Sequence, residues 1–345
     1  MDKVDQLINH YQATGLYTHV YAACGFLSKP EVLFETSLAP DGRTVFDLSS
    51  MTKAMVTTPL TLARCFARGL DPHEASLEKV FGKDSCDGYA KQLVNQPVAK
   101  FLRHETGLPA WRNFYVECEG KQQKLKEALA RISLNNSRSD NKTKDLYSDL
   151  GFMILGECLE RSTGKTLGNL WCDFSTQIGS PCSEEFGPSS KVSKDMTVPT
   201  AFCPVRNRDL LAEVHDENAW AMGGFTGHTG LFGSGRAVVR YLRNMWNDKV
   251  GKLVYEANFA EKNSPGDSLM GWRKGNDMSS STFAESRGCG HLGFTGTAFW
   301  VDPKSFAYAV ILTNRVISGR MPGTIKAMRA ETFANLWEKL ATSIK

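Results

Sequence analysis

Strand-like segments lie in two pairs at opposite ends of this chain, and a long stretch with mainly helical patterns separates them. Residues 17–27 and 31–38 form the first pair, and the Ser-Lys-Pro sequence between them is typical of a hairpin turn. Residues 296–302 and 307–314 form the second pair, with a proline in their short connection. Since strands bury their apolar faces by joining a sheet, we predict one antiparallel sheet built from both chain ends.

Helices account for most of the remaining predicted structure. The first lies near the amino terminus, where Val4, Leu7, Ile8 and Tyr11 recur at helical spacing. Further helices are predicted over residues 50–68, 121–132, 148–164, 234–247 and 326–343. The composition predicts a polar loop and a long connection over residues 135–144 and 179–209, respectively.

This order of elements predicts an α/β (α+β) fold, in which an antiparallel sheet is flanked by the terminal helices. The middle of the chain then forms a mainly helical insertion. We assign residues 1–60 and 220–345 to the sheet domain and residues 61–219 to the helical domain. Because the sheet domain needs both chain ends, the two parts are expected to form one interleaved unit.

Charge and composition exclude several classes of protein. The 41 basic and 37 acidic residues leave a net charge of +4, which is too small to indicate nucleic acid or an anionic membrane as a partner. No apolar run approaches the roughly 18–20 residues that span a bilayer. Neither an H-E-x-x-H motif nor a Cys/His cluster is present, so we expect no metal and no other cofactor.

Nine cysteines are scattered along the chain without a C-x-x-C pair. Such an odd, unpatterned set predicts reduced thiols, most of them packed as small buried hydrophobes. The amino-terminal segment is an amphipathic helix and does not resemble a secretory signal. We therefore expect a cytoplasmic location, with a periplasmic one left open if a leader is missing.

A serine and a lysine three residues apart, Ser50 and Lys53, are the best candidates for chemistry. Positions three apart share a helix face, so the hydroxyl and the amine can meet. A lysine can act as the base that activates a serine if burial or a neighbouring cation lowers the pKa of the lysine. The same spacing recurs in polar or turn-rich surroundings at Ser76/Lys79, Ser139/Lys142 and Ser162/Lys165. Only Ser50 follows a hydrophobic, strand-like segment and begins a helix with an apolar face.

Five segments together resemble the serine β-lactamase-related family, which includes class C β-lactamases, D,D-carboxypeptidases, D-aminopeptidases and some esterases. FDLSSMTK at 46–53 resembles its nucleophile segment, and Tyr147–Asp149 its Tyr-x-Asn motif. His291–Gly293 resembles a His-x-Gly variant of its Lys-Thr-Gly motif. Residues 101–111 and 214–234 resemble supporting segments. The resemblance implies a β-lactamase/transpeptidase-like fold, with the active site between sheet and helices.

The resemblance also implies a role for each matching residue. Ser50 attacks an acyl carbon, and Lys53 and Tyr147 share the work of base and proton shuttle. The backbone N–H groups of Ser50 and Phe294 form an oxyanion hole, in which Phe294 directly follows Gly293. Water then hydrolyses the acyl-enzyme.

Two departures from the family pattern bear on the substrate. Asp149 stands where the family usually has asparagine, and a carboxylate accepts hydrogen bonds but cannot donate them. His291 stands where lysine is usual, and a histidine is largely neutral near pH 7. Both changes favour a less charged ester or amide over penicillin-like or D-Ala-D-Ala carboxylates, and predict weak or no β-lactamase activity.

Three functions stay open at this point. The first is an esterase or amidase acting on a small-molecule or peptide acyl substrate. The second is a D-amino-acid peptidase or D,D-carboxypeptidase, for which Arg287 or Arg315 would supply a cation to the substrate carboxylate. The third is a non-catalytic binding module on the same fold. The oligomeric state is not predicted, and His215, Asp216, His228 and His104 are interpreted mainly as hydrogen bonders that fix loops.

Overall fold

The largest sheet combines strands from both ends of the chain, as predicted. The computed structural model describes residues 2–38, 43–132, 146–263, 266–275, 288–319 and 322–344. Six antiparallel strands follow the order β2-β1-β11-β10-β9-β8. Their bounds are β1 Val20–Phe26, β2 Val32–Ser37, β8 Arg273–Lys274, β9 Cys289–Leu292, β10 Ala298–Val301 and β11 Ala307–Thr313.

Two neighbouring interior strands, β1 and β11, pair along their whole length, from Val20 opposite Thr313 to Phe26 opposite Ala307. Every residue of both strands is buried, because helices cover both faces of the sheet. One face packs against the terminal helices, α1 (Lys3–Ala13) and α13 (Pro322–Ile344). The α/β (α+β) fold class is therefore confirmed.

The other face of the sheet shares one hydrophobic core with the remaining helices. Helices there are α2 Thr58–Ala67, α3 Leu77–Phe81, α4 Lys91–Val94, α5 Val98–Leu102, α6 Phe114–Glu117, α7 Gln122–Ala130, α8 Asp149–Thr163, α9 Leu167–Gln177, α10 Glu217–Ala221, α11 Gly235–Asn247 and α12 Lys249–Ala260. The long helices predicted from periodicity are present, whereas α9, α12 and the short helices were not predicted. The loop predicted over 135–144 lies outside the described residues.

A second, three-stranded sheet leads into the candidate nucleophile. It has the order β3-β7-β4, with β3 at Val45–Asp47, β4 at Phe186–Pro188 and β7 at Leu231–Ser234. A further hairpin pairs β5 (Phe202–Cys203) with β6 (Arg208–Asp209). The stretch 179–209 was predicted as a long connection, and strands of two or three residues are too short to leave a periodic signal. The division into sheet and helical domains stays a prediction.

Cysteine pairing differs from the expectation of reduced thiols. Cys172 and Cys182 form a disulfide between α9 and the segment that follows it, so the expectation is wrong for these two. The seven other cysteines form no disulfide with a described residue and are buried, as expected for small hydrophobes. In the described part of the chain, no helix is long and apolar enough to cross a bilayer, and no cluster of potential metal ligands occurs.

Candidate active site

A tight turn between β3 and the following helix presents Ser50 to the cavity. Ser49, just before it, has a φ of +50°, which is uncommon for a residue with a side chain. The Asp47 carboxylate holds this turn by accepting hydrogen bonds from Ser49 N (2.8 Å) and His215 N (2.8 Å). Burial raises the pKa of Asp47 to about 6, although both hydrogen bonds act in the opposite direction.

Ser50 and Lys53 meet as their spacing predicts. Lys53 Nζ lies 3.0 Å from Ser50 Oγ, and the lysine side chain is fully buried. Residues Lys53–Thr57 form a widened π-helical turn before α2, a distortion that is frequent at functional sites. The ammonium also donates to the carbonyl oxygen of His228 at 3.0 Å, which fixes it against the segment before β7.

The condition for a lysine to act as a base, a lowered pKa, is not met by Lys53. Burial lowers the pKa of Lys53, but the charges and hydrogen bonds of Asp149 and Tyr147 outweigh burial and leave it raised. Asp149 Oδ1 lies 2.7 Å from Lys53 Nζ at the first turn of α8. Near neutral pH, a lysine with a raised pKa is an ammonium ion, and its Nζ lies 3.0 Å from Ser50 Oγ as a hydrogen-bond donor.

Tyr147 lies between this ammonium and a neutral histidine. Its ring centroid is 5.0 Å from Lys53 Nζ and 4.4 Å from the His104 ring. Burial, followed by the charges of Lys53 and Arg273, lowers the pKa of His104 to about 3, so this imidazole is uncharged. His104 Nδ1 is 3.0 Å from both Ser148 N and Ser148 O, which fixes the imidazole beside the tyrosine.

The turn between β9 and β10 forms the opposite side of the site. Thr295 Oγ1 donates to Asp47 O (2.6 Å) and Thr297 Oγ1 to Leu48 O (3.1 Å), so the turn is tied to the backbone that precedes Ser50. A Cβ on Gly293 would lie 2.0 Å from Thr297 Oγ1, so this close approach requires glycine. The N–H of Phe294 donates to Ser49 Oγ at 3.3 Å, beside the candidate nucleophile.

These two sides enclose a cavity of about 590 Å³. Five of the seven predicted site residues line it: Ser50, Tyr147, Asp149, Gly293 and Phe294. Lys53 lies buried behind Ser50, within hydrogen-bond distance of its oxygen. The arrangement brings a hydroxyl, an ammonium, a phenol and a carboxylate together beside a backbone N–H.

His291 is placed differently. It lies on β9, is 1% exposed and is not among the residues that line the cavity. Burial, followed by the Lys53 and Arg273 cations, lowers its pKa well below the usual value, so the ring is neutral. Its Nδ1 lies 2.8 Å from Leu292 O, and its ring centroid is 6.2 Å from that of Tyr147. The structure therefore does not bring His291 to the substrate side of the site.

Asp216 and His228 were interpreted as loop-fixing residues, and they make bonds of that kind. Asp216 Oδ1 accepts from Ala219 N (2.8 Å) at the start of α10 and lies 3.1 Å from His228 Nε2. Burial would raise the pKa of Asp216, but the charge and hydrogen bond of His228 lower it to about 2. Both residues also line the cavity, so substrate contact stays open for them.

Two arginines at the cavity come from distant parts of the sequence. Arg315, named above as a possible carboxylate partner, and Arg329 on α13 both line the cavity. Arg287 lies outside the described residues. Arg329 was not predicted, since an arginine in an amphipathic carboxyl-terminal helix is most often on its exposed face.

A serine next to an ammonium at the beginning of a helix, facing a cavity between sheet and helices, is typical of a serine hydrolase. The sequence profile of the family described as Beta-lactamase matches residues 5–331. The N-acetylmuramyl-L-alanine amidase of Bacillus subtilis (strain 168) is 30% identical over 360 residues, covering 91% of this chain and 80% of that protein. A Salmonella gallinarum protein provisionally named D-alanyl-D-alanine carboxypeptidase is 29% identical over 304 residues, covering 79% of this chain and 69% of that protein.

Solved structures share the fold at lower identity. The D-amino acid amidase of Ochrobactrum anthropi SV3, complexed with D-phenylalanine, has a TM-score of 0.70 at 13% identity, covering 99% of this chain and 98% of that one. An octameric penicillin-binding protein homologue from Pyrococcus abyssi has a TM-score of 0.69 at 14% identity, covering 96% and 76%, respectively.

The chain belongs to the Beta-lactamase family. It is an enzyme, a serine hydrolase that acts through an acyl-enzyme. The family resemblance inferred from the sequence is therefore confirmed, while the roles of individual residues stay predictions.

Proposed function

We propose that Ser50 is the nucleophile of an amidase or esterase and that Lys53 acts on it as a cation. The observation that carries this proposal is the contact between Ser50 Oγ and Lys53 Nζ at 3.0 Å, with Asp149 2.7 Å from the same nitrogen. A charged ammonium at this distance stabilises negative charge that develops on the serine oxygen.

Since Lys53 is held as a cation, the proton of Ser50 needs another acceptor. Tyr147 is the candidate, because its ring centroid lies 5.0 Å from Lys53 Nζ and its side chain lines the same cavity. A neighbouring cation favours the phenolate form of a tyrosine, and a phenolate can take the serine proton. The same proton then passes to the leaving group, and Tyr147 later activates the water that hydrolyses the acyl-enzyme.

The carbonyl oxygen of the substrate would lie at the N–H groups of Ser50 and Phe294. In the free protein, Phe294 N donates to Ser49 Oγ over 3.3 Å, a long bond that a negatively charged oxygen would replace. Loss of one such donor typically lowers kcat by about 10²–10³-fold.

The substrate that this site favours is an amide or ester that carries no charge close to the scissile bond. Asp149 is occupied by Lys53, and neutral His291 offers no cation to a substrate carboxylate. We therefore infer weak or no turnover of β-lactams. The amidase name of the Bacillus subtilis relative supports an amide substrate.

A second candidate is a peptidase that acts on peptides with a free carboxyl group, such as peptidoglycan-type peptides. Arg315 favours it, because this arginine lines the cavity and could bind a carboxylate. The provisional carboxypeptidase name of the Salmonella relative agrees with it. Comparing a peptide with its carboxyl-terminal amide separates the two candidates, since only the peptidase would prefer the free acid.

We infer that the protein works in an oxidising compartment such as the periplasm, the alternative left open by the sequence. The Cys172–Cys182 disulfide supports this location, because such bonds persist mainly outside reducing cytoplasm. Alkylation of intact cells before lysis tests it, and labelling of Cys172 and Cys182 as free thiols would contradict it.

The nucleophile assignment is tested with a fluorophosphonate probe. We expect the wild type to be labelled and Ser50→Ala to stay unlabelled. Ser49→Ala is the matched control, since it removes the neighbouring hydroxyl and should remain reactive. Equal labelling of wild type and Ser50→Ala would overturn the assignment. A wild type inert to the probe and to p-nitrophenyl esters would instead favour a binding module.

A further inference from the structure

Arg329 is a buried cation whose position needs an explanation. It extends from α13 into the core, is 7% exposed, and forms no ion pair with a described acidic residue. Burial, followed by the charge of Arg315, lowers its pKa to about 9. Its Nε has no hydrogen-bond partner among the described residues. Burying a charge in this way is unfavourable unless its remaining contacts provide compensation.

The contacts that Arg329 does make lie on the turn between β9 and β10. Its Nη2 donates to the carbonyl oxygens of Gly293 (2.8 Å) and Thr297 (2.9 Å). Gly293 N also donates to Thr297 O at 2.7 Å, so the guanidinium closes a turn that is already hydrogen bonded across its base. Arg329 thus contacts the turn from the side of the terminal helix.

The Gly293 carbonyl and the Phe294 N–H are two ends of one peptide group. Resonance couples these ends, and a cation at the oxygen draws electrons away from the nitrogen. The N–H then becomes a stronger donor, and the plane of the peptide is fixed in advance of the reaction. Such preorganised donors are most effective where charge develops in the transition state.

We propose that Arg329 is a positioning residue that orients and polarises the Gly293–Phe294 peptide, so that the Phe294 N–H binds the oxyanion formed during acylation of Ser50. This inference rests on the proposed function, since it needs Phe294 to be an oxyanion donor. Arg315 does not contact the same peptide group, because its Nε donates to the carbonyl oxygen of Phe294, one residue later, at 2.9 Å.

The experiment compares Arg329→Gln and Arg329→Lys with wild type. Arg64→Gln is the matched control, because Arg64 Nε also donates to a backbone carbonyl, that of Val80 at 3.0 Å, away from the cavity lining. For each protein, kcat and KM are measured with a p-nitrophenyl ester. The affinity for an alkyl boronic acid, which forms a tetrahedral anion on a serine, is measured in parallel. Infrared spectroscopy gives the carbonyl stretch of the acyl-enzyme.

We expect Arg329→Gln to lower kcat by about 10–100-fold, less than complete loss of a donor, with KM changed little. Boronic acid affinity should fall by the same factor, and the acyl carbonyl should absorb at higher frequency. Arg329→Lys should recover part of each effect, and Arg64→Gln should match the wild type. If Arg329→Gln does not fold, as judged by circular dichroism, Arg329→Lys provides the comparison.

An unchanged carbonyl frequency and boronic acid affinity in a folded Arg329 variant would overturn the inference, even if kcat fell. Arg329 would then only support the turn. A wild type that forms no acyl-enzyme on Ser50 would contradict the proposed function itself, and this inference with it. The two failures are therefore distinguishable, because the first occurs while the wild type still acylates.

Discussion

The helical and sheet sides of the cavity stabilise charge in different ways. On the helical side, the side chains of Ser50 and Asp149 lie within hydrogen-bond distance of the Lys53 ammonium, and the Tyr147 ring centroid lies 5.0 Å from it. On the sheet side, the segment from residue 293 to 297 presents backbone groups, and Arg315 and Arg329 donate to carbonyl oxygens of this segment.

This difference separates two tasks of an acyl transfer reaction. Proton movement needs groups that change their charge, and the helical side supplies them. Oxyanion binding needs fixed donors that do not change, and a backbone N–H held in a rigid turn meets that need. Variants on the helical side should therefore alter pH profiles, whereas variants on the sheet side should lower kcat at every pH.

The largest effect is expected for Ser50→Ala. Without the hydroxyl no acyl-enzyme can form, and loss of a nucleophile lowers kcat by up to about 10⁶-fold in comparable enzymes. Steady-state hydrolysis of a p-nitrophenyl ester measures the change, with Ser49→Ala as the control. If Ser50→Ala kept activity within tenfold of wild type, Ser50 would not be the nucleophile.

A smaller loss is expected for Lys53→Ala. Removal of the ammonium leaves Ser50 and Tyr147 without their neighbouring cation. Tyr147 then loses its ability to act as a general base, which contributes about 10²–10⁴-fold in rate. The variant should fold, because Asp149 is 20% exposed and can be hydrated. Thermal unfolding and probe labelling are measured together. An unfolded variant would indicate that Lys53 is structural.

On the sheet side, Gly293→Ala should lower kcat by roughly 10²-fold at every pH. The added Cβ would lie 2.0 Å from Thr297 Oγ1 and 2.7 Å from Leu48 O, so the turn must shift and carry the Phe294 N–H with it. Full pH–rate profiles of variant and wild type provide the check. A displaced limb of the profile, instead of a uniform decrease, would contradict the separation of the two sides.

The mildest change is Asp149→Asn, which should move the alkaline limb of the pH–rate profile to lower pH with about tenfold or less loss of kcat near neutrality. Burial lowers the pKa of Lys53 and Asp149 raises it, so removal of the carboxylate lets the lysine lose its proton earlier. The stabilisation from this pair is present below the ordinary lysine pKa of 10.5 and is lost as pH rises through the raised value.

Movement of the acid limb alone, toward lower pH, would contradict this account. It would indicate that neutral Lys53 is the base, and Tyr147 would lose its proposed role. Asp149→Ala provides the comparison, since it removes the charge without offering an amide to the substrate.

Local spacing explains what could be predicted from the sequence. Ser50 and Lys53 share one helical turn, so three residues of separation were enough to predict their contact. Strand-like segments at both chain ends predicted one shared sheet and four of its six strands, β1, β2, β10 and β11. The protonation of Lys53 could not be predicted in the same way, because it depends on Asp149. This residue lies 96 positions after Lys53 in the chain and contacts it only in the folded protein.

Arg329 has a buried position that the sequence did not predict, and His291 lacks the cavity-lining position that its motif predicted. Nothing in the sequence around Arg329 marks it as buried, since its partners are backbone carbonyls of a distant turn. His291 matches a family motif, yet the side chain lies beneath the cavity lining because strand β9 directs it into the interior. Motif position fixed neither the direction of a side chain nor its partners.

Trapping the acyl-enzyme tests the central claim most directly. Wild-type protein is mixed rapidly with a slowly hydrolysed p-nitrophenyl ester, quenched in acid, digested and mapped by mass spectrometry. We expect one acyl group per chain, attached to Ser50 and absent from Ser49. An acyl group on another residue, or a burst of p-nitrophenol without any acylated peptide, would contradict the account.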